Sequence, residues 1–317
     1  MLGIRWKITS EIRRLETELE ALNIIFIKYH PRPNLVDALR RESILRSSVY
    51  SARIENIPAR LDDPLIHRKQ EVTNLVSAYS HIHSSRVPKK LSVKLIKKFH
   101  ALALKQISPN AGSIRREPWA IFNSAGVAVY LAPAHYKLPD LMSDYVKFVL
   151  SLSEPGPVVA AIAQFVFEKI HPFADGNGRV GRLISGYLLN NSGFSLVGEF
   201  EKYLDDHKSE YYRILASNTD CTEFIEFILT SLIDISGNNL DTIRHVEISA
   251  EELKLSFRRR EILSIIRDHP GCTFDFIHRR FAQVKSRTLH YDLEQLQKAG
   301  LVRKLGVSRG VVYVAVV

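Results

Sequence analysis

Cysteine is scarce in this chain of 317 residues: there are two, Cys221 and Cys272, far apart and without the spacing of metal ligands. That excludes a disulfide framework or a zinc site and leaves buried free thiols in a reducing compartment as the expectation. No apolar run approaches the roughly 18 residues needed to span a bilayer. The first residues, Met1-Leu2-Gly3-Ile4-Arg5-Trp6-Lys7, lack the long apolar region of a secretory signal. A soluble cytoplasmic protein with no membrane partner is expected. Internal repeats and low-complexity tracts are also missing. What is present is 45% apolar residues, enough to fill the cores of two or three units, and 44 Lys and Arg against 34 Asp and Glu, a net charge of +10.

The densest chemistry lies in His171-Pro172-Phe173-Ala174-Asp175-Gly176-Asn177-Gly178-Arg179-Val180-Gly181-Arg182. Gly176 and Gly178 flank Asn177, so the backbone can take positive φ and turn successive N–H groups toward one point, an anion-binding nest. The apolar spacing of Leu183, Ile184, Tyr187 and Leu188 predicts a helix beginning near Gly178, whose N-terminal dipole points at the same place. Arg179 and Arg182 share a face of that helix, and their planar forks suit phosphates. Asp175 is suited to hold Mg²⁺ against those phosphates. His171 is the group in the run that can accept a proton near pH 7, which suits it to activate a hydroxyl. Pro172 and Phe173 read as structural, stiffening and anchoring the turn.

This run resembles the signature of the Fic family, His-Pro-Phe-x-Asp/Glu-Gly-Asn-Gly-Arg-x-x-Arg, and matches every specified position. The resemblance implies transfer of AMP from ATP to a protein hydroxyl. By the same resemblance His171 deprotonates the hydroxyl, Asp175 holds Mg²⁺, Gly176, Asn177 and Gly178 cradle the phosphates, and Arg179 and Arg182 reach the distal ones. Two strand-like segments, 119–122 and 127–131, bracket Asn123-Ser124-Ala125-Gly126 as a hairpin. It resembles the Fic flap, which implies that a target protein lies along 119–131 as an added strand. Downstream, Asp206 to Leu215 resembles the family helix lining the nucleotide, so Tyr211 and Tyr212 are expected to pack the core and to contact adenosine. Ser51-Ala52-Arg53-Ile54-Glu55-Asn56 fits Ser/Thr-x-x-x-Glu-Gly/Asn, which in many Fic proteins marks an inhibitory helix. It implies that Ser51, Glu55 and Asn56 form an inhibitory element in which Glu55 pairs with Arg182, in the subgroup inhibited from the N-terminal side.

The expected fold class is mainly α: a Fic-type helical core with a β-hairpin flap, plus a C-terminal winged helix-turn-helix domain. Residues 1–40 read as an N-terminal helical arm, with a charged helix over Thr9–Leu22 and a break at His30-Pro31-Arg32-Pro33, packed on the core or forming a homodimer contact. Residues 41–235 read as the core, with the inhibitory helix around 44–56. Residues 236–254, starting with Ser236-Gly237-Asn238-Asn239, read as a linker. Over 255–317 three helical segments, capped at Thr273 and Ser286, precede two strands around Ser308-Arg309-Gly310. This order resembles bacterial winged helices. The segment carries +7 of the net charge. If it binds DNA, Lys285, Arg287 and His290 face the major groove and Arg309 sits at the wing tip; the alternative use is protein contact or dimerisation. The readings that follow are an autoinhibited, Mg²⁺-dependent protein adenylyltransferase, with a DNA-binding regulator that senses nucleotide through its Fic core, or a Fic enzyme that removes AMP, as alternatives.

Overall fold

The computed structural model describes residues 3–29, 33–63, 66–122, 126, 128–194, 199–217, 219–245, 255–306 and 311–316. The chain divides into two compact units, residues 1–243 and 244–317. Among the described residues no helix is long and apolar enough to cross a membrane.

Among the described residues the first unit is helical apart from one hairpin and an isolated bridge between Arg5 and Asp220. Helix α1 (Ser10–Tyr29) starts where the Thr9 hydroxyl accepts from the Ile12 amide, 3.0 Å. Ile12, Leu15 and Leu19 recur at helical spacing and are buried in the core. The helix continues seven residues past the expected end at Leu22, because α-helical hydrogen bonding is indifferent to the apolar run 24–27; Ile24, Ile25 and Ile27 are exposed. Helix α2 (Pro33–Ile54) opens on a proline, whose fixed φ and missing N–H suit a first turn. It runs through the expected boundary at residue 40, so arm and core are not separated there. Helices α3 (Gln70–Ile82) and α4 (Val93–Ala103) follow, the latter capped by Ser92, whose hydroxyl accepts from Leu95.

Strands β1 (Ala120–Phe122) and β2 (Ala128–Leu131) form the expected antiparallel hairpin, paired Ala120 to Leu131 and Ile121 to Tyr130 with a register slip before Phe122. Asn123, Ser124, Ala125 and Val127 lie outside the described residues. After α5 (Leu138–Ser151) come the two central helices, α6 (Gly156–Ile170) and α7 (Asn177–Asn191). Helix α6 is apolar on nearly every side and buried accordingly. It approaches α7 closely at Gly181, where a Cβ would stand 2.3 Å from Glu168 Oε1. Between the two, Ser185 donates to the side-chain oxygen of Gln164 (2.8 Å) and the Gln164 amide donates to the Tyr211 hydroxyl (3.0 Å), while Glu168 Oε1 is buried without a hydrogen-bond partner. Helices α8 (Phe200–Asp206), α9 (Lys208–Leu215) and α10 (Thr222–His245) complete the unit. Helix α10 contains Ser236-Gly237-Asn238-Asn239, so the expected linker is helical to His245; one glycine costs a helix only about 1 kcal/mol, and Leu232, Ile235 and Leu240 keep the buried face going.

The second unit comprises α11 (Phe257–Asp268), β3 (Cys272–Thr273), α12 (Phe274–Arg280), α13 (Ser286–Lys298), β4 (Val302–Leu305) and β5 (Val312–Ala315). Its antiparallel sheet has the order β3-β5-β4. Ile262, Ile266, Ile277, Leu289, Leu293 and Leu296 fill its core. Thr273 caps α12 as expected, accepting from the Phe276 amide. Ser286 does not cap α13: Lys285 occupies that position, and the serine hydroxyl bonds His278 Nε2 at 3.1 Å. Residues 307–310, among them Arg309, lie outside the described residues.

Candidate active site

The site is built on the six-residue turn between α6 and α7. His171 closes α6 in the left-handed region, φ 48° and ψ 60°, a conformation that a residue other than glycine adopts only when its surroundings compel it. Arg115 does so. Its backbone amide donates to the Pro172 carbonyl, and its guanidinium donates to the carbonyls of His171 (2.8 Å), Glu117 (2.7 Å) and Pro133 (2.6 Å). One buried arginine thus ties the turn to both ends of the hairpin. Trp119, immediately before β1, stacks on the His171 ring with centroids 3.6 Å apart.

The imidazole is oriented as a base. Its Nδ1 lies 3.3 Å from the Glu168 carbonyl; a carbonyl only accepts, so Nδ1 carries the proton and Nε2 keeps its lone pair. Burial lowers the His171 pKa to about 4, and the Arg115 guanidinium pushes the same way. The ring is neutral at pH 7.

The rest of the turn is fastened from below. Phe173 is buried and stacks on His100, 3.8 Å between centroids. His100 accepts from the Gly112 amide at Nδ1 (2.7 Å), so its Nε2 carries the proton it donates to the Asp175 carbonyl (3.1 Å). The Asn177 side chain accepts from the Phe173 amide (2.9 Å) and donates to the Phe173 carbonyl (2.8 Å). Asn177 therefore meets an anion only through its backbone; its side chain closes the loop. Gly176 has φ 76°, and a Cβ there would press Leu104 at 2.8 Å, so glycine is required on both counts. The amides of Asn177, Gly178 and Arg179 begin α7 with no carbonyl one turn back, as donors do at every helix start.

Around these donors the charges are paired. The Asp175 side chain is 63% exposed, with both oxygens 3.1 Å from Arg179 Nη2 and Oδ1 accepting from the Gly176 amide at 2.6 Å. Arg179 is buried, and its Nε has no hydrogen-bond partner. Arg182 is fully buried: Nε donates to the Ser51 hydroxyl (2.9 Å), Nη2 to the Ser51 carbonyl (3.0 Å) and to Glu55 Oε1 (2.8 Å). Burial is the largest influence on the charge of Arg182 and works against it, but the Glu55 carboxylate together with Tyr211 and Tyr79 holds the pKa above the ordinary arginine value. Ser51, Glu55 and Arg182 are therefore brought together from 127 and more residues apart. Asn56 follows in the left-handed region, φ 61°, while its amide and that of Ile57 return to Arg53 and Ala52. That left-handed cap accounts for Gly or Asn at this place in the motif.

The end of α2 is clasped from the other side by Lys208, which donates to the Arg53 carbonyl (3.1 Å) and to Asn56 Oδ1 (2.7 Å), and by the Tyr212 hydroxyl, which donates to the Ile54 carbonyl (3.0 Å). Tyr212 is 43% exposed, and its ring lies 5.3 Å from that of Tyr211. Tyr211 is buried against Phe224 and Phe227, and its hydroxyl accepts from Gln164, so the core claims it. In the second unit Lys285, Arg287 and His290 are exposed at the start of α13, with His290 stacked on Phe274 at 3.8 Å. Arg115, His100 and the Trp119 stack were missed from the sequence, since none stands at a recurring spacing from His171.

Residues 90–189 match the family model described as Fic/DOC family. Among curated relatives, protein adenylyltransferase Fic of Drosophila erecta is 30% identical over 175 residues, 53% of this chain and 33% of the relative. Its counterpart in Drosophila willistoni is 30% identical over 240 residues, 69% of this chain and 46% of the relative. The chain thus spans from a third to about half the length of these relatives. Of solved structures, a Fic family protein from Desulfovibrio desulfuricans G20 superposes with a TM-score of 0.67 at 23% identity, over 99% of this chain and 98% of that one. Fic-1 from C. elegans superposes with a TM-score of 0.60 at 19% identity, over 74% and 72%.

Proposed function

Because this is a Fic-family protein, we propose that it transfers AMP from ATP to a hydroxyl side chain of a target protein, and that Glu55 holds this activity back. The observation that carries the proposal is a neutral imidazole, its Nε2 lone pair free, beside the donor-rich start of α7 and two buried arginines. In the reaction the target hydroxyl oxygen bonds to the α-phosphorus, the bond to the departing pyrophosphate breaks, and the hydroxyl proton passes to His171 Nε2. The amides of Asn177, Gly178 and Arg179 take phosphate oxygens, and the two guanidiniums take the distal charge. Mg²⁺ suits Asp175, a solvent-facing carboxylate beside the phosphate donors, since this ion is ordinarily held by one or two carboxylates plus phosphates and water; when bound it neutralises phosphate charge. Arg182 engages the γ-phosphate only when Glu55 has left it.

The target strand lies along the hairpin 119–131, paired main chain to main chain. Three helices and an antiparallel hairpin, with exposed Lys285, Arg287 and His290, support the winged-helix reading of the second unit and DNA as its partner.

The test is incubation of the parent and its Glu55→Gly variant with Mg²⁺ and α-labelled ATP, alone and in cell lysate, followed by intact mass and peptide mapping. AMP on a hydroxyl in the variant, with little in the parent, supports both transfer and inhibition. Silence of both forms in lysate overturns transfer, and loss of AMP from pre-modified protein in its place supports removal.

A further inference from the structure

The sequence between Glu71 and Glu117 holds no aspartate or glutamate in 45 residues, yet nine lysines and arginines. Arg115 is buried at the site. The other eight, Arg86, Lys89, Lys90, Lys94, Lys97, Lys98, Lys105 and Arg116, are all exposed, and none forms an ion pair among the described residues. Elsewhere in the unit exposed arginines do find carboxylates, as Arg14, Arg60 and Arg213 show. The spacing explains the pattern. Helix α4 buries Leu95, Ile96, Phe99 and His100, which leaves Lys94, Lys97 and Lys98 together on its outer face, three and four residues apart. His81 of α3 faces Lys98 and adds no compensating charge.

Part of this surface adjoins the catalytic turn, while its other end, at Pro88 and Lys89, accepts from Tyr187 and Asn191 toward the far end of α7. His100, on the inner face of α4, holds the Asp175 carbonyl, and Arg116 follows the arginine that holds His171 and precedes β1 by four residues. A strand added to the hairpin is held by main-chain bonds, which read little of its side chains, so selection among targets needs a second contact. We propose that the face of α4 with its flanking loops is a docking surface for an acidic region of the target protein; this rests on the transferase reading above. Six of the eight cations are lysines, point charges that meet carboxylates without a fixed geometry, whereas bidentate phosphate recognition favours arginine. No large exposed apolar side chain falls within 86–116 to stack a base. Both facts favour an acidic polypeptide over nucleic acid.

The test is fluorescence anisotropy of labelled poly-L-glutamate with the full chain at low salt, which needs no AMP transfer and so stands apart from the fate of the transferase reading. The parent is expected to bind, with affinity falling as salt rises. The triple variant Lys94→Glu/Lys97→Glu/Lys98→Glu, verified as folded by circular dichroism, is expected to lose at least tenfold, and Lys285→Glu/Arg287→Glu to keep parental affinity. No binding by the parent, or an α4 variant within twofold of it, overturns the proposal. So does loss of binding in the second-unit variant alone, or displacement of the polypeptide by charge-matched duplex DNA at a tenth of its concentration, which would reassign the surface to nucleic acid.

Discussion

Replacing Glu55 by glycine tests how the site is held closed. The carboxylate meets Arg182 Nη2 at 2.8 Å; the guanidinium is fully buried and the glutamate side chain 25% exposed. A hydrogen bond between charged partners contributes about 1.5–3 kcal/mol. An incoming triphosphate must displace it, so its removal is worth about 10- to 100-fold in productive ATP engagement. Arg182 stays in place without Glu55, because Ser51 still accepts two of its hydrogen bonds. Calorimetric titration with ATP and labelling from α-labelled ATP should both respond, and Glu55→Gln, which keeps a neutral acceptor, should fall between parent and glycine variant. ATP affinity and labelling in Glu55→Gly that both stay within twofold of the parent would refute the inhibitory role of this pair.

Other expectations follow from the same geometry. His171→Ala should abolish transfer while leaving ATP affinity within about threefold, since the phosphate donors belong to α7; surviving transfer would remove His171 from the base role. Burial sets both His171 and His100 near pKa 4, against 6.5 unfolded, so the folded state binds fewer protons between those values. Stability present above pH 6.5 is then lost as pH falls toward 4, by at most about 3 kcal/mol for each ring, and chemical denaturation across that range reads it. A Cβ at Gly178 would stand 2.5 Å from Glu55 Oε1, so Gly178→Ala should lower Tm by several degrees in the parent and by less in the Glu55→Gly background; equal losses would contradict the contact. Arg115→Ala strands three carbonyl acceptors and should cost about 3 kcal/mol. Arg115→Lys, which keeps the charge but not the fork, should raise the KM for target more than that for ATP, since both ends of the hairpin lose their tie.

Much of the site was readable because it is contiguous. A turn that begins a helix is specified by residues within a dozen positions, so the left-handed Gly176 and the start of α7 at Asn177 follow the local reading. Ser51, Glu55 and Arg182 were joined by resemblance alone, as periodicity says nothing about a contact 127 residues long. Tyr211 reads from sequence with both a core and an adenosine role, and its burial against Phe224 and Phe227 gives it to the core, because an aromatic residue near a site looks the same from sequence whether it faces inward or outward; the side chain of Asn177, which closes the loop, has no role of its own in that reading. Arg115 escaped for the opposite reason: its partners are backbone carbonyls, which every residue has, so no residue type marks them. Of the linker expected at 236–254, residues 236–245 are helical instead, since local glycine and asparagine signals lost to a buried face that runs past them, and 246–254 lie outside the described residues.

The stack of Trp119 on His171 gives the protein an internal optical reporter. The chain has two tryptophans, and the other, Trp6, is engaged with Phe148 and Glu154 through contacts of its own. Emission from Trp119 is sensitive to the charge of the imidazole 3.6 Å away, because a protonated ring quenches indole, and to any nucleotide or peptide that parts the two. With Trp6 replaced by phenylalanine, an unlabelled sample in a fluorimeter would register protonation of the base, entry of ATP and arrival of the target strand as separate changes in one signal, before any bond is made.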